Sequence, residues 1–254
     1  MVFKQAVFPS SSDASEYLAE HIIRRINEFG PTAQKPFVLG LPTGSSPIQV
    51  YSKLIEAYKQ GRVSFKNVVT FNMDEYLGLK PTDPQSYHYF MFNKFFNHVD
   101  VPRENINILN GLAEDVELEC LRYEAKIRSH GRINFFMGGL GPEGHLAFNE
   151  AGSARNSITR KVSLVQSTID ANSRFFDNDL SKVPKYALSV GISTVLDNSD
   201  EVAIIVSGKN KQFALEKTVH GKKNDPSYPS SYLQDHPNVL IVCDKEAAGL
   251  KSKL

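Results

Sequence analysis

Cysteine is scarce in this chain. Cys120 and Cys243 are the only two, far apart and without metal-ligand spacing, which argues against a disulfide scaffold or a zinc ribbon and fits a reducing compartment. An excess of charge of one sign is missing as well: 29 Lys and Arg stand against 28 Asp and Glu, for a formal net charge of +1. No long-range field therefore gathers nucleic acid or an anionic membrane, and any anion must be recognised by local groups. No apolar run approaches the roughly 20 residues of a membrane span. The opening Met1-Val-Phe-Lys-Gln lacks the charged-then-apolar pattern of a secretory signal. A cytoplasmic protein without nucleic-acid or membrane partners is expected. Repeats of fixed period, low-complexity tracts and long Pro/Gly/Ser linkers are also absent, and 41% of the 254 residues are hydrophobic. One domain spanning 1–254 is therefore expected.

What is present is an alternation of strand-like and helix-like segments. Ser10-Ser11-Ser12-Asp13 offers caps to a run with apolar residues at Ala14, Tyr17, Leu18, Ile22 and Ile26, which Gly30 ends. Phe37–Leu41 is a short apolar run between prolines, followed by a Gly/Ser turn and a helix-like stretch from Ile48 to Tyr58. Similar runs recur at Asn67–Met73, Ile133–Met137, Val202–Val206 and Val239–Val242. Runs apolar at consecutive positions suit strands buried on both faces, so the fold class expected is α/β, a doubly wound and mostly parallel sheet with helices on both faces. Ligands of such sheets bind beyond the carboxyl ends of the strands, which directs attention to the loops after each run.

Three loops and two cations stand out. In Leu41-Pro-Thr43-Gly44-Ser45-Ser46-Pro47 a glycine admits close backbone approach, hydroxyls donate, and a helix follows with its positive dipole end. A phosphate fits there, although an ordinary capped turn has the same composition; no lysine follows to make it a Walker A loop. Asp74 and Glu75 lie directly after a strand, either as a solvated acidic turn or as a base whose pKa partial burial moves toward working pH. The third loop, 138–150, contains a literal G-x-G-x-x-G at Gly139, Gly141 and Gly144. Dinucleotide binding is rejected, because Glu143 occupies the place of a pyrophosphate and no acidic residue lies near the ~20-residue distance of a ribose partner. Instead His145 has Glu143 two positions before it and Glu150 five after, an arrangement suited to an acid/base relay or, more simply, to a helix-capping histidine. The other six histidines lack such framing and are read as structural. Lys211 follows an apolar strand and Arg174 precedes Phe175-Phe176-Asp177; each can donate charge-assisted hydrogen bonds to a phosphate, at about 1.5–3 kcal/mol apiece.

Taken together, Leu-Pro-Thr-Gly-Ser-Ser-Pro at 41–47, Phe-Asn-Met-Asp-Glu-Tyr at 71–76, Gly-His-Leu-Ala-Phe-Asn-Glu at 144–150 and Ser-Arg-Phe-Phe-Asp-Asn-Asp at 173–179 resemble the glucosamine-6-phosphate deaminase family over nearly the whole chain. The resemblance implies the Rossmann-like fold of sugar-phosphate isomerases and 6-phosphogluconolactonases. It also implies conversion of glucosamine 6-phosphate and water to fructose 6-phosphate and ammonia, with no metal or organic cofactor. On the same basis His145 matches the ring-opening histidine, Asp74 the base that moves a proton from C2 to C1, and Glu150 and Glu143 the carboxylates that support the histidine. Thr43, Gly44, Ser45 and Ser46 match the loop around the substrate, Arg174 and Lys211 the phosphate-binding cations, and about 152–185 a mobile lid.

Two departures stand against the family pattern: Glu143 where Asp is usual, and Ala151 where Pro is usual. The extra methylene moves a carboxylate by about an ångström, a displacement that can cost ~100-fold in rate, so reduced or retained activity is expected. An Arg-x-Lys pattern tied to activation by an N-acetylated sugar phosphate reads Arg160-Lys161-Val162 here, and the chain ends at Leu254. Weak or absent activation is expected. A lactonase-like hydrolase and a non-catalytic sugar-phosphate sensor are the alternatives, and self-association is left open.

Overall fold

In the computed structural model, which describes residues 3–250, the chain begins with β1 (Lys4–Phe8) and α1 (Ser11–Phe29). Ser10 caps α1 by accepting the Asp13 N–H, and Gly30 closes it in left-handed conformation. β2 (Phe37–Leu41), α2 (Ile48–Lys59), β3 (Val68–Asn72), β4 (Asp74–Tyr76) and α3 (Tyr87–Lys94) follow. Next come β5 (Ile106–Asn107), α4 (Val116–Ser129) and β6 (Phe135–Gly139). The remainder holds β7 (Arg160–Ser163), α5 (Gln166–Asn172), β8 (Tyr186–Ser189), α6 (Ile192–Asn198), β9 (Val202–Val206), α7 (Gln212–Val219) and β10 (Val239–Asp244). No described helix is long and apolar enough to cross a membrane.

Seven strands form a wholly parallel sheet in the order β1-β10-β9-β6-β2-β3-β5. The strand runs are buried on both faces as their composition requires, and β2, β3, β9 and β10 are buried at every position. Alternation then divides their side chains between two cores. Phe37, Leu39, Leu41, Ile205 and Val242 pack with α1 and α2, while Val38, Ile204, Val206 and Ile241 pack with residues of α4, α6 and α7. Each fully buried aliphatic or aromatic side chain contributes about 1.5–3 kcal/mol. The doubly wound α/β class follows from these two covered faces.

Strand order reverses at β2, which pairs with β3 on one side and β6 on the other. Loops leaving the carboxyl ends of β2 and β6 diverge there, opening the crevice in which such sheets bind ligands.

A second sheet departs from the sequence reading. Asp74–Tyr76 is a buried strand rather than a solvated turn, and it pairs antiparallel with β8, which pairs in turn with β7. Met73 makes the joint: its N–H donates to Leu41 O, and its carbonyl accepts the Val190 N–H. Three residues are too few to show periodicity, and two are of a type depleted in strands. A small third core of Tyr76, Phe148, Leu164, Phe176, Val183 and Ala187 packs beside this sheet. Segment 152–185 thus contains β7 and α5 and contributes Leu164, Phe176 and Val183 to that core.

Candidate active site

Asp74 and Glu75 are both buried but are treated differently by their surroundings. The Glu75 carboxylate accepts the N–H groups of Tyr76, Tyr87 and His88 at 2.8, 2.9 and 2.8 Å. Two of those donors belong to the first turn of α3, where helix N–H groups lack intrahelical partners. Burial still pushes the Glu75 carboxyl up, against the pull of these donors. The Asp74 carboxylate accepts no hydrogen bond among the described residues. Burial, reinforced by the neighbouring Glu75 charge, pushes its carboxyl up to about 8.

The histidine loop after β6 folds back on itself: Gly141 N–H donates to His145 O, and Gly144 N–H to Gly141 O. The imidazole lies directly against Gly141, where a Cβ would come within 2.1 Å of His145 Nε2. Any other residue at 141 displaces the ring. Glycine spacing here makes room for a side chain rather than for a pyrophosphate. His145 Nδ1 is 3.2 Å from Glu150 Oε2, but the atoms are out of line for a full hydrogen bond and Nδ1 is buried with no other partner. Catalytic contacts are often loose in this way before substrate binds. Burial raises the Glu150 carboxyl, but His145 and the Thr168 hydroxyl outweigh that and hold it below its ordinary value.

Backbone and side-chain bonds tie this loop to the strand that carries Asp74. Asp74 pairs with Ser189 in β8, and Ser189 Oγ accepts the Phe148 N–H at 3.0 Å. Asn149, fully buried, donates to Leu146 O at 2.7 Å and Val190 O at 2.9 Å. Arg160 reaches Asn149 Oδ1 at 2.9 Å from the far side. Ala147 between them adopts a left-handed φ of 53°, a conformation that costs a residue with a Cβ about 1–2 kcal/mol and that these anchors offset. The histidine loop and the strand that carries Asp74 are therefore braced against the same two residues, Ser189 and Val190.

At the same carboxyl edge of the sheet lie the phosphate candidates. Tyr51 OH donates to Pro42 O at 2.5 Å and pins the start of the β2 loop. Gly44 turns it with φ 94°. Pro47 at the head of α2 provides no side-chain cap, and the hydroxyls of Thr43, Ser45 and Ser46 make no hydrogen bond among the described residues. Lys211 follows β9, on a turn held by Gly208 N–H donating to Asp244. Burial, and then the positive charge of Arg174, pushes Lys211 down to about 8. Arg174 itself is exposed and stacks on Phe175, 4.6 Å from its ring centroid. The Arg174 charge reaches Lys211, and two cations this close can receive an anion by charge-assisted hydrogen bonds.

One expectation is corrected. Glu143 does not support His145: its carboxylate is exposed and accepts a hydrogen bond from Ser167 Oγ at 2.8 Å. The longer side chain reaches outward to α5 instead of back to the imidazole. Sequence reading also missed Thr168, whose hydroxyl donates to Glu150 Oε1 at 2.7 Å, and the bracing by Ser189, Asn149 and Arg160. Nothing in the local pattern around Thr168 or Ser189 announces such long-range partners. His21 does have an acidic partner, Glu201 at 2.6 Å, but Glu201 precedes β9, so the pair lies at the opposite edge of the sheet from these loops.

Comparison with known proteins gives the family. The family model of glucosamine-6-phosphate isomerases/6-phosphogluconolactonase matches residues 9–242. The chain is 74% identical to a glucosamine-6-phosphate isomerase of Candida albicans over 251 residues, covering 99% of this chain and 100% of that one. It is 56% identical to a glucosamine-6-phosphate deaminase of Glaesserella parasuis, covering 93% of this chain and 89% of that one. Among solved structures, a monomeric glucosamine-6-phosphate deaminase superposes with a TM-score of 0.92 at 37% identity, over 98% of this chain and 100% of that one. A 6-phosphogluconolactonase of Leishmania guyanensis shares the fold, with a TM-score of 0.76 at 19% identity over 99% of this chain and 100% of that one.

Proposed function

Because the chain belongs to the family of glucosamine-6-phosphate isomerases and 6-phosphogluconolactonases, we propose that it converts glucosamine 6-phosphate and water to fructose 6-phosphate and ammonia. The observation that carries this reading is Asp74: a buried carboxylate without protein partners, its pKa raised to about 8, at the carboxyl edge of the sheet beside an imidazole loop. A carboxylate whose pKa approaches working pH is a base able to take a carbon-bound proton and give it back.

The phosphate is held by Lys211, Arg174, the hydroxyls of Thr43, Ser45 and Ser46, and the free end of α2. His145 takes the C1 hydroxyl proton and returns it to the ring oxygen, which breaks the C1–O5 bond and leaves an open aldehyde. That carbonyl acidifies the C2–H. Asp74 removes the C2 proton, the electron pair shifts onto the aldehyde oxygen, which takes a proton from the substrate's ammonium group to give the enolamine, and Asp74 delivers its proton to C1. The resulting C2 iminium takes up water and expels ammonia, leaving the ketose. Segment 152–185 is the lid over this chemistry, with α5 contacting both Glu143 and Glu150.

Glu143 in place of the family Asp leaves Glu150 as the single carboxylate beside the histidine, and activity is retained on that pair alone. Lactone hydrolysis is the competing activity within the family. Supplying the purified protein with glucosamine 6-phosphate and assaying ammonia and fructose 6-phosphate together separates the two. Equal amounts of both products are expected; acid release from 6-phosphogluconolactone with no ammonia from the amino sugar would overturn the reading.

A further inference from the structure

Thr168 is the buried residue of α5, in a helix whose other side chains are exposed or half-buried. Its hydroxyl and that of its neighbour Ser167 are both directed to carboxylates flanking the histidine. Ser167 Oγ donates to Glu143 Oε2 at 2.8 Å and Thr168 Oγ1 to Glu150 Oε1 at 2.7 Å. Glu150 is half-buried, and its second oxygen is the one that lies 3.2 Å from His145 Nδ1, off the line of a good hydrogen bond.

A carboxylate bound through one oxygen pivots about that bond, so Thr168 fixes the direction from which Oε2 meets the imidazole. We propose that Thr168 is a positioning residue for His145: by holding Glu150 it keeps the ring proton on Nδ1 and leaves Nε2, which lies over Gly141, free to exchange a proton with the sugar. Ser167 holds the other flank of the loop through Glu143. The first turn of α5 is then a two-point clamp, and the histidine is ready only while that turn is docked. Undocked, Glu150 turns to solvent and either ring nitrogen carries the proton. Glu150 is held below its ordinary pKa partly by the Thr168 hydroxyl, which agrees with a carboxylate kept charged and oriented by this bond.

The role of His145 in this inference rests on the deaminase reading, whereas the clamp itself does not. The test uses the full chain labelled with 15N at histidine, with the His145 signals assigned by their loss in His145→Asn. Thr168→Val keeps the shape and removes the hydroxyl; Thr168→Ser keeps the hydroxyl. For Thr168→Val, kcat is expected to fall about tenfold, the equivalent of one charge-assisted hydrogen bond, with KM within about twofold because ground-state binding is untouched. Its His145 nitrogen shifts move from a single Nδ1–H tautomer to a mixture, and Thr168→Ser restores both. Thr168→Ala replaces Val should that variant fail to fold. Wild-type shifts and kcat in Thr168→Val, or a loss that Ser does not rescue, would overturn the clamp. A wild-type protein that forms no ammonia overturns the deaminase reading instead, and the nitrogen spectra still decide on the clamp.

Discussion

Asp74 and Glu75 are one step apart on a strand, and alternation sends neighbouring side chains to opposite faces. Glu75 meets the open end of α3 and three N–H donors; Asp74 meets none. The pair therefore divides into a structural acid and one whose carboxylate is left without a protein donor, with different outcomes on substitution. Glu75→Ala leaves those donors without a partner and is expected to destabilise the fold by about 2–3 kcal/mol, measured by urea denaturation. Asp74→Asn is expected to stabilise it. The folded carboxyl titrates at about 8 against 3.8, so the stability due to its neutral form is complete below 3.8 and is lost as pH rises through about 8. An amide does not titrate, so its advantage over wild type is absent near pH 4, grows as pH rises between the two values and is complete above about 8. Thermal melts at the two pH values check the sign.

Among the elements, the loop after β6 holds the histidine because Gly141 leaves room for the ring. Gly141→Ala puts a Cβ 2.1 Å from Nε2 and must shift the imidazole by roughly an ångström, so kcat is expected to fall about 100-fold while the melting temperature changes little. The comparison of both values with wild type is the check. Much of this scale was legible in the sequence. Phe37–Leu41 and Val202–Val206 are strands with the bounds their apolar runs suggest, and the segments carrying Thr43, His145 and Lys211 leave strands of the one parallel sheet. What was not legible depends on residues far apart in the chain. β4 is three residues long and is a strand only because Ser189, more than a hundred positions later, pairs with it. Glu143 reads as a partner of His145 by proximity in sequence, yet its longer side chain finds Ser167. Arg160 reads as a remnant of a broken pattern and proves to be a brace on Asn149.

For the whole molecule, nearly neutral overall charge leaves recognition of an anion to local groups, and in the proposed reaction the pH dependence follows from buried Asp74 and half-buried Lys211. Asp74 acts as a base only when ionised, a fraction that grows as pH rises toward about 8. Lys211 holds phosphate only when protonated, a fraction that shrinks as pH rises past about 8. The profile of kcat/KM, which reports the free enzyme, is expected to be a bell with its crest near 8. Lys211→Arg, always charged, removes the alkaline limb. An unchanged alkaline limb in that variant would remove Lys211 from the phosphate site.

Proton transfer by Asp74 from C2 is the step on which the proposed mechanism turns, and isotope tracing follows it directly. Glucosamine 6-phosphate carrying deuterium at C2 is incubated with wild type and with Asp74→Asn, and the label is followed by NMR. In wild type the deuterium leaves C2 and appears at C1 of fructose 6-phosphate or in water; in Asp74→Asn it stays at C2, with turnover lower by about 10²–10⁴-fold. Loss of label from C2 at the wild-type rate in Asp74→Asn would contradict the assignment.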